Sequence, residues 1–133
     1  MKGIVIVGHE PVASALLACA EHIFGPLENV LALDVEADTE PVRIQQALAE
    51  RTREADSGEG VLVLIDVIGA TPSNQSCQAV LALRETGRQI AVVGGVNVPM
   101  LLRAIPNRHL DLEELARHVL AGGTQGMRLI DLS

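Results

Sequence analysis

The sequence predicts an α/β fold: an open, doubly wound, mostly parallel sheet with strand order 2-1-3-4. Three observations carry that prediction. The runs Ile4-Val5-Ile6-Val7 and Val61-Leu62-Val63-Leu64-Ile65 are apolar without alternation, as strands covered on both faces of a parallel sheet are. Stretches with helical spacing lie between the apolar runs and are long enough to serve as crossovers. Each run is also followed by a polar residue that packing does not ask for, His9 after Gly8 and Asp66 after Ile65. Ligands of open α/β sheets bind outside the carboxyl ends of the strands, where connections leave in opposite directions, so these ends are where chemistry is sought.

The elements follow in order. After the first strand, Val12, Leu16, Leu17, Ala20 and Ile23 keep helical spacing over 11–24, with Pro11 suited to the first turn and Gly25-Pro26 stopping the helix. Residues 29–35 form a second strand. Asp38 and Thr39 offer caps for a helix over 40–55, whose exposed face holds Arg43, Gln46, Glu50 and Arg53. A polar loop over 56–60 leads into the third strand. Thr71-Pro72 then reads as an N-cap followed by a first-position proline, opening a helix that stops at Gly87. Residues 89–93 give the fourth strand, and a short helix holds Met100, Leu101 and Leu102. Asp111 and Glu114 suggest a capping box for a last helix over 111–121, ended by Gly122-Gly123. The tail, 126–132, reads as a further strand with no crossover helix, hence antiparallel.

At 133 residues and 14.1 kDa the chain suits one domain spanning 1–133. Apolar residues make up 48% of it, yet Phe24 is the one aromatic, so the core must be Val, Leu, Ile and Ala. No apolar run approaches the ~20 residues that span a bilayer, and the N-terminus enters a strand without a basic leader. A cytoplasmic protein with no direct membrane insertion is expected. The formal charge of −7, with basic residues scattered singly, argues against nucleic acid and fits a basic protein partner better. Cys19 and Cys77 fall in apolar helical stretches away from any CxxC spacing, which predicts small buried hydrophobes.

In the order 2-1-3-4 the first and third strands are neighbours, which brings His9 and Asp66 together. A carboxylate on Nδ1–H fixes the tautomer and leaves the Nε2 lone pair exposed, as a nucleophilic imidazole requires. A strand-end histidine taken alone is more often satisfied by a backbone carbonyl. Gly8, which allows a sharp turn and leaves room for a partner, and the matched position of Asp66 shift the reading toward chemistry. One histidine and one carboxylate do not complete a metal site, and no cofactor is expected. Thr71 reads as a cap and also as a phosphate ligand. The amides near Thr71, Ser73 and Asn74 lie where free N–H groups and positive helix potential would meet a phosphoryl group on His9, and Gly69 would permit close backbone approach. His22, His109 and His118 read as surface residues.

Taken together, Ile-Val-Gly-His ending at His9, the run from Gly60 to Asp66 followed by Gly-Ala-Thr-Pro-Ser-Asn, and Gly95-Val-Asn-Val-Pro-Met-Leu resemble the mannose-family IIA components of the bacterial phosphoenolpyruvate-dependent sugar phosphotransferase system. The resemblance spans the chain. It implies a phosphocarrier whose His9 accepts phosphate from the carrier protein HPr and passes it to a IIB component. In that reading Asp66 orients His9 and Thr71 stands beside the phosphate. The resemblance further implies a homodimer in which a C-terminal strand, here the segment from Gly126, can be exchanged with the partner subunit. The chain carries Ile68 and Ala70 where the family often has an aromatic and a second glycine, and Glu10 adds a negative charge beside the site. The IIB acceptor is expected on a separate chain.

Other roles share this architecture. A receiver domain phosphorylated on aspartate needs an acidic pair after the first strand and a late lysine; this chain has His9 there and only Lys2. A phosphorylation-state sensor that regulates a partner without sugar transport would use the same His9 chemistry. So would the IIA-like subunit of a dihydroxyacetone kinase system.

Overall fold

The structure, a computed structural model, describes residues 1–133. Four strands, β1 (Gly3–His9), β2 (Val30–Val35), β3 (Val61–Ile65) and β4 (Ile90–Gly94), alternate with α1 (Val12–Phe24), α2 (Pro41–Ala55) and α3 (Thr71–Glu85). Beyond β4 come α4 (Val98–Ala104), a 3₁₀ turn (Ile105–Asn107) and α5 (Leu112–Gln125). The strands are all parallel in the order β2-β1-β3-β4, as the sequence predicts.

Alternate residues of a strand face opposite sides of the sheet, so an unbroken apolar run serves two helical layers. Val5, Val7, Val63 and Ile65 pack against Ile44 and Leu48 of α2 and Val80 and Leu83 of α3. Ile4, Ile6, Leu62 and Leu64 face the other way, where Ala13 and Ala20 of α1, Leu101 of α4 and Leu115 and Val119 of α5 cover them. Each such aliphatic side chain contributes roughly 1.5–3 kcal/mol when fully buried. The middle of β1 and β3 is therefore the rigid part from which the strand ends project. At the opposite end of the sheet the buried Arg108 donates to the carbonyls of Lys2 and Glu28, each at 2.8 Å, tying together the segments that enter β1 and β2.

Several local expectations need correction. At α2, Glu40 is the N-cap and Pro41 opens the helix; the Thr39 hydroxyl instead closes a turn onto the Glu36 carbonyl at 2.6 Å. At α5, Asp111 does cap, its carboxylate accepting from the Glu114 amide at 2.9 Å. Gly122 and Gly123 do not end that helix, which runs on to Gln125. They are buried against α4: a Cβ on Gly122 would lie 2.7 Å from Arg103 Cβ, and one on Gly123 2.7 Å from Met100 Cγ. The glycine pair permits close helix packing.

The tail forms no strand. Residues 127–133 are irregular and exposed, with Leu129 at 99% and Leu132 at 89% of full accessibility. A strand needs a paired edge to satisfy its backbone groups, and none of the chain's own strands takes this segment. The cysteines also differ from expectation, Cys19 being half-buried and Cys77 exposed. The inward face of α3 is Pro72, Ser73, Ser76, Ala79, Val80 and Leu83, which leaves Cys77 outside.

Candidate functional site

The parallel register pairs Val7 with Ile65, so β1 and β3 deliver the following residues, Gly8 and Asp66, side by side. The Asp66 amide donates to the Val7 carbonyl at 3.1 Å, extending the ladder by one residue. Its carboxylate then lies across Gly8, where a Cβ would sit 2.9 Å from the carboxyl carbon and from Oδ2. Gly8 is absent from the positive-φ glycines, so the glycine serves space here and no left-handed turn.

The structure brings His9 and Asp66 into direct contact. Asp66 Oδ2 accepts from His9 Nδ1 at 2.8 Å and from the His9 main-chain N–H at 2.9 Å, while Oδ1 accepts from the Val67 N–H at 2.8 Å. An ionised carboxylate can only accept, which assigns a ring proton to Nδ1; in the neutral imidazole this leaves the Nε2 lone pair free. Burial alone would raise the Asp66 pKa; the hydrogen bonds from the His9 ring and from the His9 and Val67 amides outweigh it and hold the carboxyl below its ordinary range. The Asp66 side chain is 8% exposed and the His9 side chain 53%. A buried anion thus orients an open imidazole.

Thr71 borders the same cleft, of about 600 Å³, with His9 and Glu10 on one side, Thr71 and Pro72 on another, and the β2–α2 connection as the far wall. Its expected role as N-cap is not met. Ala70, extended at φ −77° and ψ 165°, is the N-cap without a side-chain bond, and Thr71 is the first helical residue. The Thr71 hydroxyl therefore bonds none of the helix's own amides. The main-chain N–H groups of Thr71 and Ser73 have no protein acceptor, whereas that of Asn74 is already used by the Ala70 carbonyl at 3.0 Å. Asn74 contributes through its side chain, which donates to the Gly69 carbonyl at 3.3 Å. Gly69, at φ +88° with open space at its Cβ position, supplies the left-handed turn of this loop.

One pair escaped the sequence reading. Asp34, opposite Gly8 in the register, accepts from the Ser14 amide at 3.0 Å and from its hydroxyl at 2.5 Å. It thereby caps the first turn of α1, whereas α3, whose first residues Thr71 and Pro72 line the cleft with His9, has no side-chain cap. The signal was present: Asp34 is a polar residue near the carboxyl end of an apolar strand, as His9 is. His22, His109 and His118 are exposed. No group of three or more His, Cys, Asp or Glu side chains is placed to hold a metal, and no helix is long and apolar enough to cross a membrane.

Fold and site together define a doubly wound parallel α/β protein carrying a carboxylate-oriented histidine at its strand ends. The family model described as PTS system fructose IIA component matches residues 3–120, and the chain belongs to that family of sugar phosphotransferase system IIA components. The mannose-specific EIIAB component of Escherichia coli strain K12 is 31% identical over 130 residues, covering 96% of this chain and 39% of the relative. The chain thus spans about two fifths of the mannose-specific relatives it matches. The fructose-specific EIIA component of Bacillus subtilis strain 168 is 25% identical over 130 residues, covering 97% and 86% of the two chains. Among solved structures, the mannose/sorbose specific IIA subunit from Enterococcus faecalis superposes with a TM-score of 0.86 at 28% identity, covering all of this chain and 98% of that one.

Proposed function

We propose that residues 1–133 act as one phosphohistidine carrier domain: His9 takes a phosphoryl group from phospho-HPr and hands it to a IIB-type acceptor. The observation that carries this reading is the bond from His9 Nδ1 to Asp66 Oδ2, which leaves Nε2 as an exposed nucleophile. The Nε2 lone pair attacks phosphorus, an N–P bond forms, and the bond to the donor's histidine nitrogen breaks with its electron pair returning to that nitrogen. Transfer to the acceptor reverses these roles. Asp66 keeps the Nδ1 proton in place and offsets the positive charge that develops on the ring. The Thr71 hydroxyl and the unpaired amides of Thr71 and Ser73 receive the phosphoryl oxygens at the α3 N-terminus. Neither metal nor organic cofactor enters these steps. The carrier is read as a homodimer.

The test is incubation with phosphoenolpyruvate, enzyme I and HPr, followed by mass measurement and peptide mapping. A single phosphoryl group on His9, labile to acid and stable to alkali, is expected, and IIB components of mannose and fructose systems should drain it. Undiminished labelling of His9→Ala overturns the assignment.

A further inference from the structure

The loop from Val67 to Ala70 joins Asp66 to α3 with few ties to the sheet. None of its four amides donates to a backbone carbonyl, and that of Val67 turns back onto the Asp66 carboxylate. Asn74 holds the loop from the helix side through the Gly69 carbonyl. On the sheet side the contact is Ile68. Its side chain lies over Gly94, the last residue of β4, which pairs with Ile65 immediately before the loop. A Cβ on Gly94 would stand 2.7 Å from Ile68 Cδ1 and closer still to Cγ1. Gly94 is not among the positive-φ glycines, so its backbone does not need glycine; the missing side chain is what admits Ile68. Ile68 is nevertheless 76% exposed, so burial gives little reason for its place.

We propose that Ile68, seated in the notch left by Gly94, is a positioning residue that fixes the 66–71 loop relative to His9, and with it the amides that receive the phosphoryl group. This rests on the carrier reading above. The loop starts at the carboxylate that orients His9 and ends at Thr71, so a shift of Ile68 moves both sides of the phosphate site. A displacement of about 1 Å in such a site can cost on the order of a hundredfold in rate.

Single-turnover transfer from phospho-HPr and partner-free hydrolysis of phospho-His9 are measured for wild type, Gly94→Ala, Ile68→Ala, Ile68→Val and the Gly94→Ala/Ile68→Ala double variant. Gly94→Ala should slow the transfer step about tenfold or more, with half-saturation by phospho-HPr within about twofold, and should alter the phosphohistidine lifetime. Ile68→Val keeps Cγ1 in the notch and should transfer faster than Ile68→Ala. The double variant should match Ile68→Ala, because removing Ile68 removes the collision. Wild-type kinetics in Gly94→Ala, a loss confined to half-saturation, or single-variant losses that multiply in the double each overturn the proposal. Should Gly94→Ala fail to fold, the Val and Ala variants decide, and equal rates refute it. If wild type is never labelled on His9, the carrier reading fails instead.

Discussion

One carboxylate oxygen, Asp66 Oδ2, accepts from both the ring Nδ1 and the main-chain N–H of His9, at 2.8 and 2.9 Å. Two donors of one residue on one oxygen fix the imidazole relative to its own strand. Asp66→Asn keeps a group of similar shape but loses the charge, and one of its two positions becomes a donor. The variant should fold, while phosphoryl transfer to His9 falls on the order of a hundredfold in single-turnover labelling. Wild-type rates would reduce Asp66 to a structural residue.

Gly8→Ala tests the same geometry by crowding. Its Cβ would stand 2.9 Å from the Asp66 carboxyl carbon, so the carboxylate must move off the position from which it holds His9. Overpacking of this kind costs about 1–3 kcal/mol. A lowered urea midpoint together with slowed labelling is expected; labelling at the wild-type rate in a folded protein counts against the arrangement.

Asp56 provides a stability test away from the site, at the entry to β3. Burial would raise its pKa, but the Gly58 and Gly60 amides and Arg88, whose Nη1 lies 2.9 Å from Oδ2, together bring it below the ordinary 3.8. A carboxyl lowered on folding adds stability that is present above its unfolded pKa and is lost as pH falls through the folded value. Asp56→Asn should therefore lower the urea midpoint clearly near about pH 6, and the difference from wild type should shrink toward about pH 3. A difference that stays constant with pH would remove the ionic contribution.

The sheet order and the His9–Asp66 contact were legible because both follow from pattern: unbroken apolar runs fix which strands are buried, and adjacency follows from the order. What the pattern could not supply was orientation and close packing. Ser73 and Ser76 face inward on α3 while Cys77 and Leu81 face out, so composition misled where the helix face is set by tertiary fit. Thr71 carried the residue type of an N-cap, but the chain enters the helix one residue earlier, at Ala70. Gly122-Gly123 had the local signature of a helix end, and only the approach of α4 gives its other meaning.

That second meaning fixes the sign of a substitution. In an exposed helix Gly→Ala gains up to about 1 kcal/mol. At Gly122 the added Cβ meets Arg103 Cβ at 2.7 Å, an atom fixed to the α4 backbone, so the two helices must part. Gly122→Ala should lower the thermal midpoint, and a raised midpoint would show that α4 yields without cost.

The last prediction concerns the exposed tail. Met127, Leu129, Ile130 and Leu132 are each at least 67% exposed, a concentration of apolar surface at odds with a free segment in water. β4 closes one end of the sheet with no strand beyond it. Added to a sheet edge of a second copy, the tail would satisfy its own backbone groups and cover that edge, and two identical chains can do this symmetrically. Because α5 runs to Gln125 and Gly126 accompanies its end, the cut that tests this falls after Gly126, where no helix is shortened. The intact chain should sediment as a dimer at micromolar concentration, and the chain ending at Gly126 as a monomer or as insoluble protein. A monomeric intact chain, or a soluble truncated dimer, would show that the tail does not hold two copies together.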